Sequence, residues 1–217
     1  MPSEQIENYL KNIYKIQTEE GKVSTTSLSK NLNISPASVT EMIKKLAEEG
    51  TLVHTPYKGV ALTPHGKKLA LRIIRKHRLW EMFLVDVLKF SWDEIDEEAE
   101  KFEHIMSEKM EDKIDEVLGF PSVDPHGDPI PTKNGIVKTA RSFCLAEIKE
   151  GTTVRVVRVN DSNSELLQYA SSIGLSLNKK ITVKQRINFD HSLGIKIGSK
   201  EVTISATLAD NIFVEIV

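Results

Sequence analysis

Six residues in the middle of the chain have the types and spacing of metal ligands. Glu100, Glu103 and His104 stand at i, i+3 and i+4, which places all three on one face of a helix. Asp96 lies one turn earlier on the same stripe, and His77 and Glu81 form another i, i+4 pair. Two antiparallel helices that project carboxylates and imidazoles inward can enclose a divalent cation. Without a cation, clustered carboxylates repel one another and shift their own titration. The competing reading of this spacing is a solvated acidic helix face with an incidental histidine.

The elements that must position these residues show up first in the charge pattern. The 217 residues carry a net charge of −2, but the charge is segregated. Residues 1–80 have 13 Lys and Arg against 7 Glu, and residues 81–116 have 14 Asp and Glu against 4 Lys. A basic block suits a polyanion, because Lys and Arg displace counterions from phosphates. The acidic block either solvates helices or collects cations. The single cysteine, Cys144, excludes an internal disulfide framework and a Cys-based zinc finger. No apolar run approaches the length of a membrane span. The start, MPSEQIENYLKNIY, lacks a basic-then-apolar signal pattern, so the expected location is the cytoplasm, away from membranes.

Periodicity divides the chain into an α+β multidomain architecture. Residues 1–64 read as helix, short helix, turn, helix and hairpin, which is the order of a winged helix-turn-helix. Ser3 is placed to open the first helix, Gly21 closes it, and Thr25 or Thr26 is placed to cap the second. In the third helix, Val39, Ile43 and Leu46 point inward. Ser35, Pro36, Ala37, Ser38, Thr40, Glu41 and Lys44 are left facing out. Short side chains let a helix lie deep in a major groove, where Ser and Thr reach base edges or phosphates. Lys44, Lys45 and Lys58 would take phosphates, with Tyr57 beside Lys58 in the hairpin turn. An ordinary three-helix unit without a DNA role is the bland alternative.

Residues 65–120 read as a helical metal-binding and dimerisation domain, with one helix over roughly 64–90 and a second over about 93–117. Residues 121–144 are a Pro/Gly-rich linker that cannot be helix. Residues 145–217 hold five short β-rich runs and a helix near 163–173, the pattern of a small SH3-like β-barrel.

These motifs together resemble a known family. RKHRLWEMFLVDVL followed by EEAEKFEHIMSE, with ISPASVTEMIKKL, GVALTPHGKKLA and PHGDPIP, is similar in order and spacing to the metal-dependent repressors of the diphtheria toxin repressor and manganese transport regulator family. The resemblance spans essentially the whole chain and implies a C-terminal SH3-like domain of the FeoA type. It also implies a metal-activated transcriptional repressor, not an enzyme. The implied partner is a palindromic double-stranded operator, bound by a homodimer that controls metal-uptake genes.

Carried over residue by residue, the resemblance implies a helix site of Glu100, Glu103 and His104, with Asn8 at an N-terminal ligand position. Lys11 stands where some two-metal relatives have a carboxylate, and a charged lysine cannot ligate. A second site is implied at His77 and Glu81, with Asp96 where relatives often have His. It is completed by Asp124, His126 and Asp161, or alternatively by Glu165 and Gln168. This oxygen-rich, thiolate-free donor set suits Mn(II) first and Fe(II) next, with Zn(II) or Co(II) able to enter in vitro. A metal-independent winged-helix regulator sensing another ligand is the alternative function, and a metallohydrolase is a remote one.

Overall fold

The computed structural model describes residues 3–55 and 59–217. The chain divides into two compact units. One comprises residues 1–78, 100–112 and 131–137, and the other residues 79–99, 113–130 and 138–217.

The first unit begins with α1 (Glu4–Glu20), α2 (Thr25–Leu32) and α3 (Pro36–Glu48), followed by β1 (Leu52–Thr55) and β2 (Gly59–Leu62). Ile6, Leu10, Ile13 and Ile16 of α1 recur at helical spacing and are all buried. They share a core with Leu28 of α2, with Val39, Ile43 and Leu46 of α3, and with Leu52 and Val60 of the two strands. Ser3 precedes α1 but makes no side-chain capping bond. Ser24, rather than Thr25 or Thr26, caps α2: its hydroxyl accepts from Ser27 N, and Ser27 Oγ returns a bond to the Ser24 backbone. Two orphan amides are thereby satisfied, worth about 1 kcal/mol. Ser35 caps α3 and Pro36 occupies its first turn, where the missing N–H costs nothing. Strands β1 and β2 pair antiparallel, Leu52 opposite Leu62 and Thr55 opposite Gly59. The turn expected between them, with Tyr57 and Lys58, lies outside the described residues. Gly59 has φ +94°, and a Cβ there would meet Val23 O at 2.3 Å, so only glycine lets this strand approach.

Helix α4 (Pro64–Asp86) is shorter than its apolar pattern suggests. Val87 and Leu88 fold back to bond Phe83 O, Lys89 adopts φ +65°, and its ammonium caps the Asp86 carbonyl. The single helix expected over 93–117 is instead two, α5 (Ile95–Glu103) and α6 (Glu108–Val117). Ser107 ends the continuity because its Oγ accepts from Met110 N and its carbonyl from Glu111 N, as an N-cap. The Met106 carbonyl, free of any helix, accepts from buried Lys76 Nζ at 2.7 Å.

The second unit is built on a six-stranded antiparallel sheet in the order β3-β8-β4-β5-β6-β7. Its strands are β3 (Phe143–Cys144), β4 (Thr153–Val159), β5 (Lys180–Arg186), β6 (Leu193–Ile197), β7 (Lys200–Ile204) and β8 (Ile212–Ile216). Register shifts in β4 and β5 mark bulges that bend the sheet. One face buries Val154, Val156, Ile181, Val183, Ile195, Ile204 and Val214 around Leu167 of α7 (Ser164–Ser172) and Leu208 of α8 (Ala206–Asp210). The periodicity missed β3, only two residues long, and α8, a single turn capped by Ser205. Cys144 Sγ lies 3.6 Å from the Ala209 and Asp210 carbonyls, and burial pushes its thiol up, away from reactivity.

Candidate metal centre

Glu81, Asp124 and His126 converge in the second unit. All three are buried, and one ligand atom from each lies within 4.8 Å of the others. Glu81 comes from α4, and Asp124 and His126 from residues 122–130, which form a tight turn despite their prolines. Asp124 Oδ1 accepts from His126 N at 2.9 Å and Asp128 N at 3.0 Å, while Asp124 N donates to Asp128 O. Gly127 has φ +93°, and a Cβ there would lie 2.0 Å from Val157 O, so the turn packs against β4 only with glycine. Val159 N donates to the His126 carbonyl at 2.8 Å and ties the turn to the sheet.

The His126 ring is fully buried and held on both sides. Nε2 donates to the Trp92 carbonyl at 2.8 Å, and the Trp92 indole stacks on the imidazole at 5.8 Å and 22°. That bond fixes the tautomer and turns the Nδ1 lone pair inward. Nδ1 has no hydrogen-bond partner and lies 3.7 Å from Glu81 Oε1. A buried nitrogen left unbonded between two carboxylates is costly in the absence of a cation. The donor set therefore fits a divalent ion. Sequence reasoning missed Trp92, because its contribution is a backbone carbonyl, which leaves no signature in residue type.

A second cluster lies within the first unit. His77, Glu100 and Glu103 likewise bring ligand atoms within 4.8 Å. Glu103 is fully buried, and His77 Nδ1 lies 2.5 Å from its Oε2. Lys11 Nζ lies 2.6 Å from Glu103 Oε1 and also bonds Glu100 Oε2. Burial pushes the Glu103 carboxyl up, but the His77 hydrogen bond and the Lys11 ammonium outweigh it and hold the group below its ordinary value. Burial likewise opposes the charge on Lys11, yet Glu103 and Glu100 hold its pKa above the usual lysine value. His104 sits in the turn beyond α5, not on its face. Its Nδ1 is 2.7 Å from Glu7 Oε2 and its Nε2 is 3.3 Å from Glu103 Oε1. Glu7 was not singled out by sequence reasoning. Its i, i+4 spacing to Lys11 on α1, opposite charges to His104 and the acidic pair, was the available signal.

Asn8 is half-buried, and its Oδ1 is enclosed without a hydrogen-bond partner. Asp96 is exposed in the first turn of α5, and one of its carboxylate oxygens lies within 4.8 Å of one on Glu81. Asp161 follows β4, two residues beyond Val159, and is partly buried. Glu165 and Gln168 are exposed on α7. On α3, Ser35, Pro36, Ala37, Ser38, Thr40, Glu41, Lys44 and Lys45 are all exposed, as a groove-reading surface requires. Ser35 and Ser38 hydroxyls bond each other at 2.9 Å, and Thr40 Oγ1 donates to the Pro36 carbonyl.

Comparison with known proteins decides what this combination of units is. Residues 1–60 match the model of the iron dependent repressor N-terminal DNA binding domain. Residues 63–132 match its metal binding and dimerisation domain, and residues 143–216 match the FeoA domain. The iron-dependent repressor IdeR of Mycobacterium leprae (strain TN) is 30% identical over 191 residues, covering 82% of this chain and 83% of that one. The chain belongs to the iron-dependent repressor family. It is a metal-dependent transcriptional repressor, and the metal-independent alternative gives way to that reading. Among solved structures, a manganese-dependent transcriptional repressor in complex with manganese superposes on the repressor with a TM-score of 0.90. It is 38% identical and covers 98% of this chain and 100% of that one. ScaR with bound Zn2+ is 35% identical with a TM-score of 0.82, and both chains are covered in full. No helix among the described residues is long and apolar enough to cross a membrane.

Proposed function

We propose that the repressor is activated by Mn(II), with Fe(II) as the next candidate, bound by Glu81, Asp124 and His126. The observation that carries this reading is the buried, unbonded Nδ1 of His126, locked in the ligating tautomer and aimed at Glu81. Asp161, two residues past the Val159 amide that bonds the His126 carbonyl, is the fourth candidate ligand. The donors are two or three carboxylates and one imidazole, a hard set that suits Mn(II) and Fe(II) over thiophilic ions. When bound, the ion supplies the positive charge that these carboxylates need. Glu81 then holds α4 to the 122–130 turn, and the His126 carbonyl and Gly127 hold that turn to β4. Ordering these elements raises the population of the DNA-competent state, and operator binding tightens metal binding in return.

The same reading includes a homodimer on a palindromic operator of metal-uptake genes. Exposed apolar side chains support self-association, among them Val117 and Phe120 of the second unit. The exposed polar face of α3 reads the DNA, with Lys44 and Lys45 on phosphates.

The test is fluorescence anisotropy with labelled operator-promoter DNA and chelated protein, titrated with Mn(II), anaerobic Fe(II) and Zn(II). Metal-dependent binding that Glu81→Gln abolishes supports the site. Equal DNA binding by the wild type with and without metal overturns the reading.

A further inference from the structure

We propose that the Lys11 ammonium takes the place of a metal ion in the cluster of Glu100, Glu103 and His77, so that this repressor carries one regulatory ion per chain. The count of one rests on the ion reading of Glu81, Asp124 and His126, but the substitution by Lys11 does not.

The anionic oxygens of this cluster already have partners. The Lys11 Nζ donates to Glu103 Oε1 at 2.6 Å and to Glu100 Oε2. A divalent ion held by these two residues needs the same oxygens. The remaining Glu103 oxygen is 2.5 Å from His77 Nδ1, so the imidazole too is engaged with the carboxylate. The Lys11 side chain is only 15% exposed and that of Glu103 is fully buried, so water does little to screen the ammonium. Placing two further positive charges beside it is strongly unfavourable in such surroundings. The neighbouring polar groups do not compensate. Asn8 Oδ1 and His104 Nε2 are buried and unbonded but bring no negative charge to offset the ammonium, and Glu7 is engaged with His104 at 2.7 Å.

The cluster is thus neutralised by a cation that cannot dissociate, because it is covalently part of α1. The contact between α1 and the end of α5 is made at every metal concentration. In this repressor, metal concentration is sensed at the other site alone, and activation follows a single binding isotherm per chain.

The experiment counts ions. Chelator-stripped protein is dialysed against Mn(II), and bound metal per chain is measured by mass spectrometry and by loss of the free Mn(II) resonance signal. The wild type and Lys11→Arg are expected to hold one ion and Lys11→Met two, because the two carboxylates then lack their cation. Glu81→Gln holds none, and Lys11→Met with Glu81→Gln holds one. The gain between wild type and Lys11→Met tests the lysine, whereas the loss on Glu81→Gln tests the buried site, so the two claims fail separately. Glu100→Gln, at a half-exposed position that tolerates change, leaves the count at one. Two ions in the wild type with one lost in Glu100→Gln, or no gain in Lys11→Met, overturns the proposal.

Discussion

Replacing Asp124 by asparagine separates the two roles of this side chain. Oδ1 accepts from the amides of His126 and Asp128 at 2.9 and 3.0 Å, and an asparagine oxygen can accept both. The turn therefore persists with a loss of about 1 kcal/mol, the difference between charged and neutral acceptors. The anionic donor is lost, however. Mutation of even a supporting group at a metal site typically weakens affinity 10–100-fold, so removal of a charged ligand is taken at about 100-fold. At a Mn(II) concentration of 100 Kd, binding stabilises the wild type by about 2.7 kcal/mol. For a chain of this size about 2–4 °C corresponds to each kcal/mol, so the wild-type melting midpoint rises by about 5–11 °C. Asp124→Asn at the same Mn(II) sits near its own Kd and gains only about 0.4 kcal/mol, a rise of about 1–2 °C. The assay is scanning calorimetry of chelated protein with and without Mn(II). An undiminished rise in Asp124→Asn would refute the assignment. A midpoint that collapses already in chelator would show that the carboxylate serves the fold instead.

Other outcomes follow from the same geometry. Gly127→Ala changes no donor but introduces a Cβ 2.0 Å from Val157 O at φ +93°. It should destabilise the fold by more than about 1 kcal/mol and raise the metal midpoint for DNA binding; an unchanged midpoint separates the turn from sensing. Arg75 Nε donates to Glu111 at 2.7 Å and its Nη1 to the Pro131 carbonyl at 2.9 Å, both buried. Arg75→Met should cost about 3–5 kcal/mol in urea unfolding, and the double variant with Glu111→Leu should recover much of it. Glu103 is held below its ordinary value of 4.5, so its contribution to stability is complete above that value and is lost as pH falls through its folded value. Metal-free protein should therefore lose stability in acid, with a shallower slope in Glu103→Gln; identical slopes would contradict the pairing. Lys44→Ala should weaken operator binding and reduce its salt slope by about 1, with little change in sequence preference.

Much of this was legible in the amino-acid order. Alternation and helical spacing place Val39, Ile43 and Leu46 inward and the polar face of α3 outward, because burial of a helix stripe depends on local period alone. The carboxylates and imidazoles that form both clusters were visible as residue types, and Glu81, Glu103, Asp124 and His126 are all buried as ligands or their partners would be. Three decisions belong to tertiary structure. The break between α5 and α6, which moves His104 off the helix face towards Glu7, sits where Lys76 takes the Met106 carbonyl, a contact distant in sequence. The tautomer of His126 depends on a carbonyl of Trp92, and carbonyls are the same in every residue. The fate of the acidic pair depends on which cation arrives between them. Local spacing counts the negative charges, but only the packing of α1 brings the Lys11 ammonium to Glu100 and Glu103.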